Sequence, residues 1–395
     1  LIYNTTGCHN AAMGCYALYC NTTGCYNTAL GSKALYTSLS GDHNFAAGQC
    51  ALYSNWGGCN NTAIGCGVLC SNTTGSCNNA MGYRALYSNT TGCNNQAIGC
   101  NALYNNTTGA HNNAIGGNAL CSNTTGSYNT AIGLQALYRN TTGTNNVAFG
   151  NGAIAQNTTG SNNFAVGGDS LTRNISGNDN FSVGLYALCA NWGGCYNTAI
   201  GRMALKSNTE GNCNTAIGYG AMYYNTTGIS NNAVGINALY TNTTGSYNNA
   251  IGDNTLRSNI DGCYNNALGF YSLYNNISGD HNFAGGYQAL YNNWGGNYNT
   301  ALGQYALLGN TTGDHNTGIG ASSLYSANSG CHNFAAGNSA LYSNWGGCHN
   351  TAIGRYTLEK NTTGGYNNAI GLCALRCNTT GNENTGIGYR TLYKN

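Results

Sequence analysis

Gly126-Ser127-Tyr128-Asn129-Thr130-Ala131-Ile132-Gly133-Leu134-Gln135-Ala136-Leu137-Tyr138-Arg139-Asn140-Thr141-Thr142-Gly143 is the stretch on which the fold turns. Its closing Asn-Thr-Thr-Gly repeats the one that ends at Gly126, 17 residues earlier, and the same interval runs back to Gly7 and on to Gly381 with no insertion or deletion. Slot 1 is taken here as the residue after that glycine and slot 17 as the next such glycine. Asn then fills slot 3 from Asn10 to Asn384, and Gly fills slot 7 from Gly14 to Gly388. Leu holds slot 11 except at Ile154 and Met222. A helical solenoid needs two helices per unit, which 17 residues with two fixed glycines cannot supply. Short β-compatible pieces such as Thr-Ala-Ile and Ala-Leu-Tyr, punctuated by Gly and Asn, fit one coil of a β-solenoid. The spacing therefore predicts an all-β parallel β-solenoid, or β-roll, of about 23 coils of 17 residues. It predicts one continuous array over 1–395, with no separate domain or cap. At roughly 4.8 Å per coil, such an array would extend about 110 Å. The constancy of the period has a physical cause, because one extra residue would turn side chains to the opposite face of the wall.

The composition excludes several classes of protein. Only 6% of the 395 residues are charged and the net charge is +2, without the clustered Lys and Arg that nucleic-acid binding demands. No apolar run is long enough to span a membrane. Pro is absent, whereas Gly occurs 60 times and Cys 20 times.

Charge also maps the surface, since burying an unpaired charge is very costly. The 12 basic and 10 acidic residues fall only in slots 1, 2, 8, 9, 12, 13 and 16, as at Asp42, Arg202, Lys33, Arg257, Lys360 and Glu210. Slots 6 and 11 are accordingly expected in the core, with small slots 5 and 10 packed closely. Asn at slots 3 and 14 is expected to form corner ladders, and Gly at slots 7 and 17 to take positive φ at bends. Four repeats carry Asn-Trp-Gly-Gly at Trp56, Trp192, Trp294 and Trp345, each with Phe at slot 4: Phe45, Phe181, Phe283 and Phe334. Slot 6 shrinks in those repeats to Ala47, Val183, Gly285 and Ala336. This exchange of volume reads as an alternative core filling. The sharper reading makes each Trp a sugar-stacking platform or docking knob.

Candidate chemistry is sparse. All seven His occupy slot 2, and His315, His332 and His349 fall on consecutive coils, the last two beside Cys331 and Cys348. Such Cys-His pairs are the weak metal candidates. Tyr takes the same slot elsewhere, however, so a surface preference for a planar ring explains the column, and no metal or cofactor is expected. No nucleophile, base and acid are set together, so the chain is not expected to be an enzyme. The cysteines lie only in charge-tolerant slots. Cys8/Cys25 and Cys331/Cys348 share a slot on adjacent coils, and Cys189/Cys195 could close a short loop, which makes them candidate disulfides. Exposed thiols at this density suggest an oxidising, extracellular or cell-surface setting, and the plain alternative is that Cys stands in for Ser. Tyr19, Tyr36, Tyr53, Tyr87 and Tyr104 lead a slot-12 column that reads either as a lateral interface or as ring stacking that stiffens the wall. The sequons at Asn21, Asn72, Asn140, Asn174, Asn276 and Asn378 read first as corner structure.

Asn-Thr-Ala-Ile-Gly-x-x-Ala-Leu, at Asn129 to Leu137 and Asn197 to Leu205, resembles the head repeats of trimeric autotransporter adhesins and repeats of phage tail-fibre-like proteins. That resemblance implies a left-handed parallel β-roll, usually trimeric, that presents a binding surface away from the cell. The longer 17-residue period, the abundant Cys and the lack of a heptad stalk depart from the adhesins. Two functions follow as expectations. The first is a non-enzymatic structural fibre subunit whose partner is itself, stacked end to end and joined laterally through Tyr or Cys columns. The second is the shaft of an adhesin or tail fibre with a glycan or other host-surface ligand.

Overall fold

Each repeat contributes one strand of three residues over slots 4–6, and the computed structural model describes residues 2–394. The chain is an all-β parallel solenoid with one coil per 17-residue repeat, and no helix occurs among the described residues. It comprises two units. The first, residues 1–197, holds β1 (Ala11–Met13) to β11 (Phe181–Val183). The second, residues 198–395, holds β12 (Thr198–Ile200) to β23 (Thr385–Ile387). Within each unit successive strands pair in parallel with an offset of one repeat, as in Thr215↔Asn232 and Ile217↔Val234. Backbone bonds continue around the rest of the coil. In the second unit, Leu239 N donates to Thr255 O at 3.0 Å, Thr226 N to Thr243 O at 2.9 Å, and Ser230 N to Asn212 O at 3.0 Å. Each coil is thus a template for its neighbour at many points of its circumference.

Two cores run through the coils. The apolar one is built from Ala at slots 5 and 10 and Leu at slot 11, which lie fully buried at Ala250, Ala238 and Leu256. A buried Leu of this kind contributes about 1.5–3 kcal/mol relative to an exposed one. Where one small residue changes, its neighbour compensates: Ser182 at slot 5 meets Ser170 at slot 10 with their hydroxyl oxygens 2.7 Å apart. The second core is polar. Asn at slots 3 and 14 converges on the slot-17 carbonyl, so that Gly245 O accepts from Asn242 Nδ2 and from Asn231 Nδ2, both at 2.8 Å. The same amides bond along the axis. Asn248 N and Nδ2 reach Asn231 Oδ1 at 3.0 and 3.2 Å, and Asn242 Nδ2 reaches Asn225 Oδ1 at 2.8 Å. The expected ladders are present, and they fill the interior rather than decorate a corner.

Several expectations are corrected. Slot 6 is not core: none of its side chains is buried, and Ile200, Ile217 and Ile251 are 36–38% exposed. In a strand successive side chains alternate faces, so an inward Ala at slot 5 sends slots 4 and 6 outward. The aromatic modules follow them. Phe45, Phe181 and Phe334 stand on this outer face at slot 4, and Phe283 is half-exposed there. Trp56, Trp192, Trp294 and Trp345 at slot 15 are exposed by 50–60% of their surface. The volume exchange is real, but it operates outside: Leu302 Cδ2 leans to 2.9 Å from where a Cβ on Gly285 would sit. Slot-17 glycines do not take positive φ. Slot 7 does, with Gly252 at 130°, whereas slot 17 is glycine because of close approach. Most of the remaining left-handed positions are not glycine, as at Tyr247 (60°), Asn254 (54°) and Leu256 (50°), with Gly67, Gly152 and Gly220 as glycines at the slot of Asn254.

The slot-14 ladder also has gaps, at Ser38 and Ala327. At the first gap, Asn21 Oδ1 and Ser38 Oγ are buried without a hydrogen-bond partner. Asn72 Nδ2 shows what is missing, since it donates to Asn55 Oδ1 at 2.7 Å and to Gly75 O at 2.9 Å. Ser38→Asn should therefore restore a donor to Asn21 and raise the unfolding free energy by about 1–2 kcal/mol, read as a higher urea midpoint. A midpoint at or below that of the parent chain would show that the coil cannot accept the longer side chain.

Candidate binding surfaces

Three outward columns carry the functional candidates. In the second unit the slot-2 column is an unbroken ring stack from Tyr247 through Tyr264, His281, Tyr298, His315, His332 and His349 to Tyr366, with centroids 4.8–4.9 Å apart. His332 and His349 lie within 4° of parallel. Lone pairs lie in the plane of their ring, so rings stacked in separate parallel planes do not converge on one ion as a tetrahedral site requires. The neighbouring thiols are turned to the backbone: Cys348 Sγ accepts from Cys331 N at 3.2 Å and Cys331 Sγ donates to Ser329 O at 3.5 Å. Among the described residues no three metal-ligating side chains gather.

Slot 1 explains much of the cysteine usage. Its side chain accepts the slot-1 amide of the preceding coil: Cys25 N donates to Asp42 Oδ1 at 2.7 Å, Asp42 N to Cys59 Sγ at 3.3 Å, and Cys59 N to Ser76 Oγ at 3.0 Å. Any short acceptor serves, and a thiol, a hydroxyl and a carboxylate are interchangeable there. Cys8 and Cys25 bring their sulfurs to 3.1 Å, a hydrogen-bonded contact about 1 Å longer than a disulfide. Cys195 Sγ accepts from Asn178 N at 3.3 Å and donates to Gly193 O at 3.4 Å, while Cys189 stands in the slot-12 column. Burial pushes the Cys70 and Cys121 thiols above their usual value, with nearby Cys50 and Cys100 adding to the shift, so neither is an activated nucleophile.

The slot-12 tyrosines stack on one another. Tyr19–Tyr36 and Tyr36–Tyr53 are nearly parallel at 5.2 and 5.0 Å, and Tyr87–Tyr104 at 5.3 Å. A cation in the column keeps the contact, since the Arg257 guanidinium lies over Tyr240 at 5.2 Å and over Tyr274 at 5.8 Å. The ring faces are covered within the wall, which leaves mainly their edges to a partner. The sequon asparagines Asn21, Asn72, Asn140, Asn174 and Asn276 are fully buried, and Asn140 Nδ2 donates to both Asn123 Oδ1 and Gly143 O. These are ladder residues whose amide nitrogens are engaged, as Asn21 Nδ2 is with Asn4 Oδ1 and Gly24 O.

The surface that sequence reasoning missed is the outer face of the strands. Slots 4 and 6 are solvent-facing, yet no charged residue occurs in either. Slot 6 is apolar along both units, with exposed Met81, Phe149, Ile217, Leu268 and Ile353. Polar slot-4 side chains bond along the face, Asn232 Nδ2 to Asn249 Oδ1 at 2.9 Å and Asn249 Nδ2 to Asn266 Oδ1 at 3.0 Å. The strand period, read from Ala at slot 5, was the available signal.

The fold and these columns define the protein as a tandem-repeat parallel β-solenoid. No known family profile matches the chain, and no curated protein is significantly similar to it.

Proposed function

We propose that this chain is a non-enzymatic, extracellular structural protein, a β-solenoid fibre subunit that associates with further copies of itself. The observation that carries this reading is the charge-free outer face of slots 4 and 6. A continuous exposed apolar stripe on a regular β-sheet favours a protein partner, and a second copy presents the same flat, periodic surface. The backbone ladders that join coil to coil supply a second mode, because any uncovered coil face offers unpaired donors and acceptors for end-to-end stacking. Disulfides between neighbouring same-slot thiols, such as Cys8 and Cys25, would reinforce such a fibre in an oxidising setting. The adhesin or tail-fibre shaft remains the second reading, supported by the Asn-Thr-Ala-Ile-Gly-x-x-Ala-Leu motif.

Electron microscopy of native, non-reduced protein tests the proposal. Fibres of indefinite length with an axial repeat near 4.8 Å are expected, with lateral pairing that Ile251→Asp abolishes. The Ile251 side chain is 38% exposed, so the substitution should leave the coil folded. Discrete particles that neither pair nor elongate would remove the fibre reading and turn attention to the shaft.

A further inference from the structure

The four exposed tryptophans are not equivalent, and one of them stands where the repeat breaks its own rules. Around Trp345 three departures from the consensus gather. Gly309 is the one glycine at slot 13, a position that elsewhere takes Ser, Asn, Thr, Arg or another side chain. Ala327 replaces the slot-14 Asn, and Asn328 is the one Asn at slot 15. The remaining tryptophans follow an aliphatic residue at slot 15 of the preceding coil: Leu39 before Trp56, Ile175 before Trp192 and Ile277 before Trp294. Trp345 follows Asn328.

Two of these departures, Gly309 and Asn328, line a hollow of about 300 Å³ together with Ser326 and Trp345. That volume reaches the lower end of the range for small-molecule sites. Its floor is the missing side chain of Gly309, where an added Cβ would meet the Tyr325 carbonyl at 3.2 Å and the Ser326 Cα at 3.7 Å. Its wall is the Trp345 indole, 60% exposed. The Thr311 hydroxyl donates to Asn328 Oδ1 at 2.5 Å, which ties this exposed side chain to the edge of the hollow. The break in the slot-14 ladder is locally repaired, because Asn316 Nδ2 turns to Asn310 Oδ1 at 3.2 Å. Two neighbouring coils that depart from the consensus three times and still satisfy the buried amide have the character of a functional exception rather than of decay.

We propose that this hollow is a carbohydrate-binding site for a neutral hexopyranose unit. An exposed indole supplies the flat apolar surface against which the C–H face of a pyranose ring packs, and an amide and a hydroxyl beside it supply hydrogen bonds for ring hydroxyls. No lining residue carries a charge, which selects against sialic acids, uronic acids and phosphorylated sugars. The site stands independently of the fibre reading, since it lies within one unit and needs no second copy.

The test is isothermal titration calorimetry of the whole chain with D-glucose, D-galactose, D-mannose and N-acetyl-D-glucosamine, each taken to about 50 mM to reach the millimolar affinity typical of a single weak contact site. At least one of the four is expected to bind saturably. Trp345→Ala should weaken that binding tenfold or more, and Gly309→Gln, which refills the hollow with a side chain that slot 13 already accepts at Gln156, should do the same. Trp192→Ala should leave it unchanged. Circular dichroism on each variant separates loss of the site from loss of the fold. Absence of saturable binding by all four sugars overturns the proposal. So does binding that a folded Trp345→Ala retains, or that Trp192→Ala lowers equally.

Discussion

Gly262→Ala is expected to destabilise the second unit by more than about 4 kcal/mol, whereas Gly57→Ala in the first should change stability by less than about 0.5 kcal/mol. Both are glycines of the same Gly-rich turn region, at slots 17 and 16, and a propensity argument would treat them alike. Their surroundings differ. A Cβ on Gly262 would sit 2.5 Å from the Gly279 carbonyl oxygen, 2.6 Å from Asn259 Oδ1 and 2.7 Å from Asn276 Nδ2. None of these can yield cheaply. Gly262 O itself accepts from Asn259 Nδ2 at 2.9 Å and Asn248 Nδ2 at 2.8 Å, so moving the turn breaks polar-core bonds, and Gly279 belongs to the next coil of the same ladder. A Cβ on Gly57 would meet only the Ser40 hydroxyl, at 3.6 Å, an ordinary contact. Urea denaturation of the two variants beside the parent chain measures the difference. If Gly262→Ala unfolds within 1 kcal/mol of the parent, the packing of coil on coil at slot 17 is looser than these distances.

The period, the strand and the buried Leu at slot 11 were legible in the sequence because each rests on a local rule. Seventeen residues without an indel force a coil, and a side chain that is Leu or its near equivalent in every repeat belongs to a packed interior. Ile at slot 6 was misjudged because lack of charge was equated with burial. Charge is excluded from a core by desolvation, but equally from an apolar surface, and composition alone does not separate the two. Alternation does, since Ala250 at slot 5 and Ile251 at slot 6 cannot both face inward along one strand. The same error carried Phe181 and Trp192 inward. Their size compensation with Val183 and its kind was a true packing signal, one that holds on a crowded outer face as well as in a core. The polar core was half legible: invariant Asn announced a ladder, but the convergence of Asn231 and Asn242 on one carbonyl from two sides of the coil needs three-dimensional closure. The hollow at Trp345 was written in the sequence as Gly309, Ala327 and Asn328. Gly309 and Asn328 lie on different coils and at different slots, so only the stacking of coils shows that both line one hollow with the indole.

Asn248→Asp should unfold the second unit more readily at pH 7 than at pH 3, the reverse of ordinary acid denaturation. Asn248 is 1% exposed and uses both ends of its amide. Oδ1 accepts from Asn265 N at 3.0 Å and Asn265 Nδ2 at 3.1 Å, which a carboxylate oxygen can also do. Nδ2 donates to Gly262 O at 2.8 Å and to Asn231 Oδ1 at 3.2 Å. A carboxylate places its second oxygen between those two acceptors with no proton to offer, and it buries a charge in a column that contains only Asn. The cost at pH 7 is about 3–5 kcal/mol, the range for an uncompensated buried charge. Protonation relieves it, because a neutral carboxyl regains one donor for Gly262. Burial and the two facing oxygens therefore raise the folded-state pKa above the unfolded value of about 3.9. A raised folded pKa means that the folded form holds its proton more tightly than the unfolded chain does. The variant is then closest to the parent below about pH 4, and it loses stability as pH rises through the folded-state value. Urea midpoints of variant and parent at pH 3, 5 and 7 give the comparison, with the parent at each pH removing the contribution of the chain's own titrating groups. An equal deficit at all three values would mean that the Asn248 amide nitrogen is not held between two acceptors, and the polar core would then be a row of single contacts instead of a two-sided ladder.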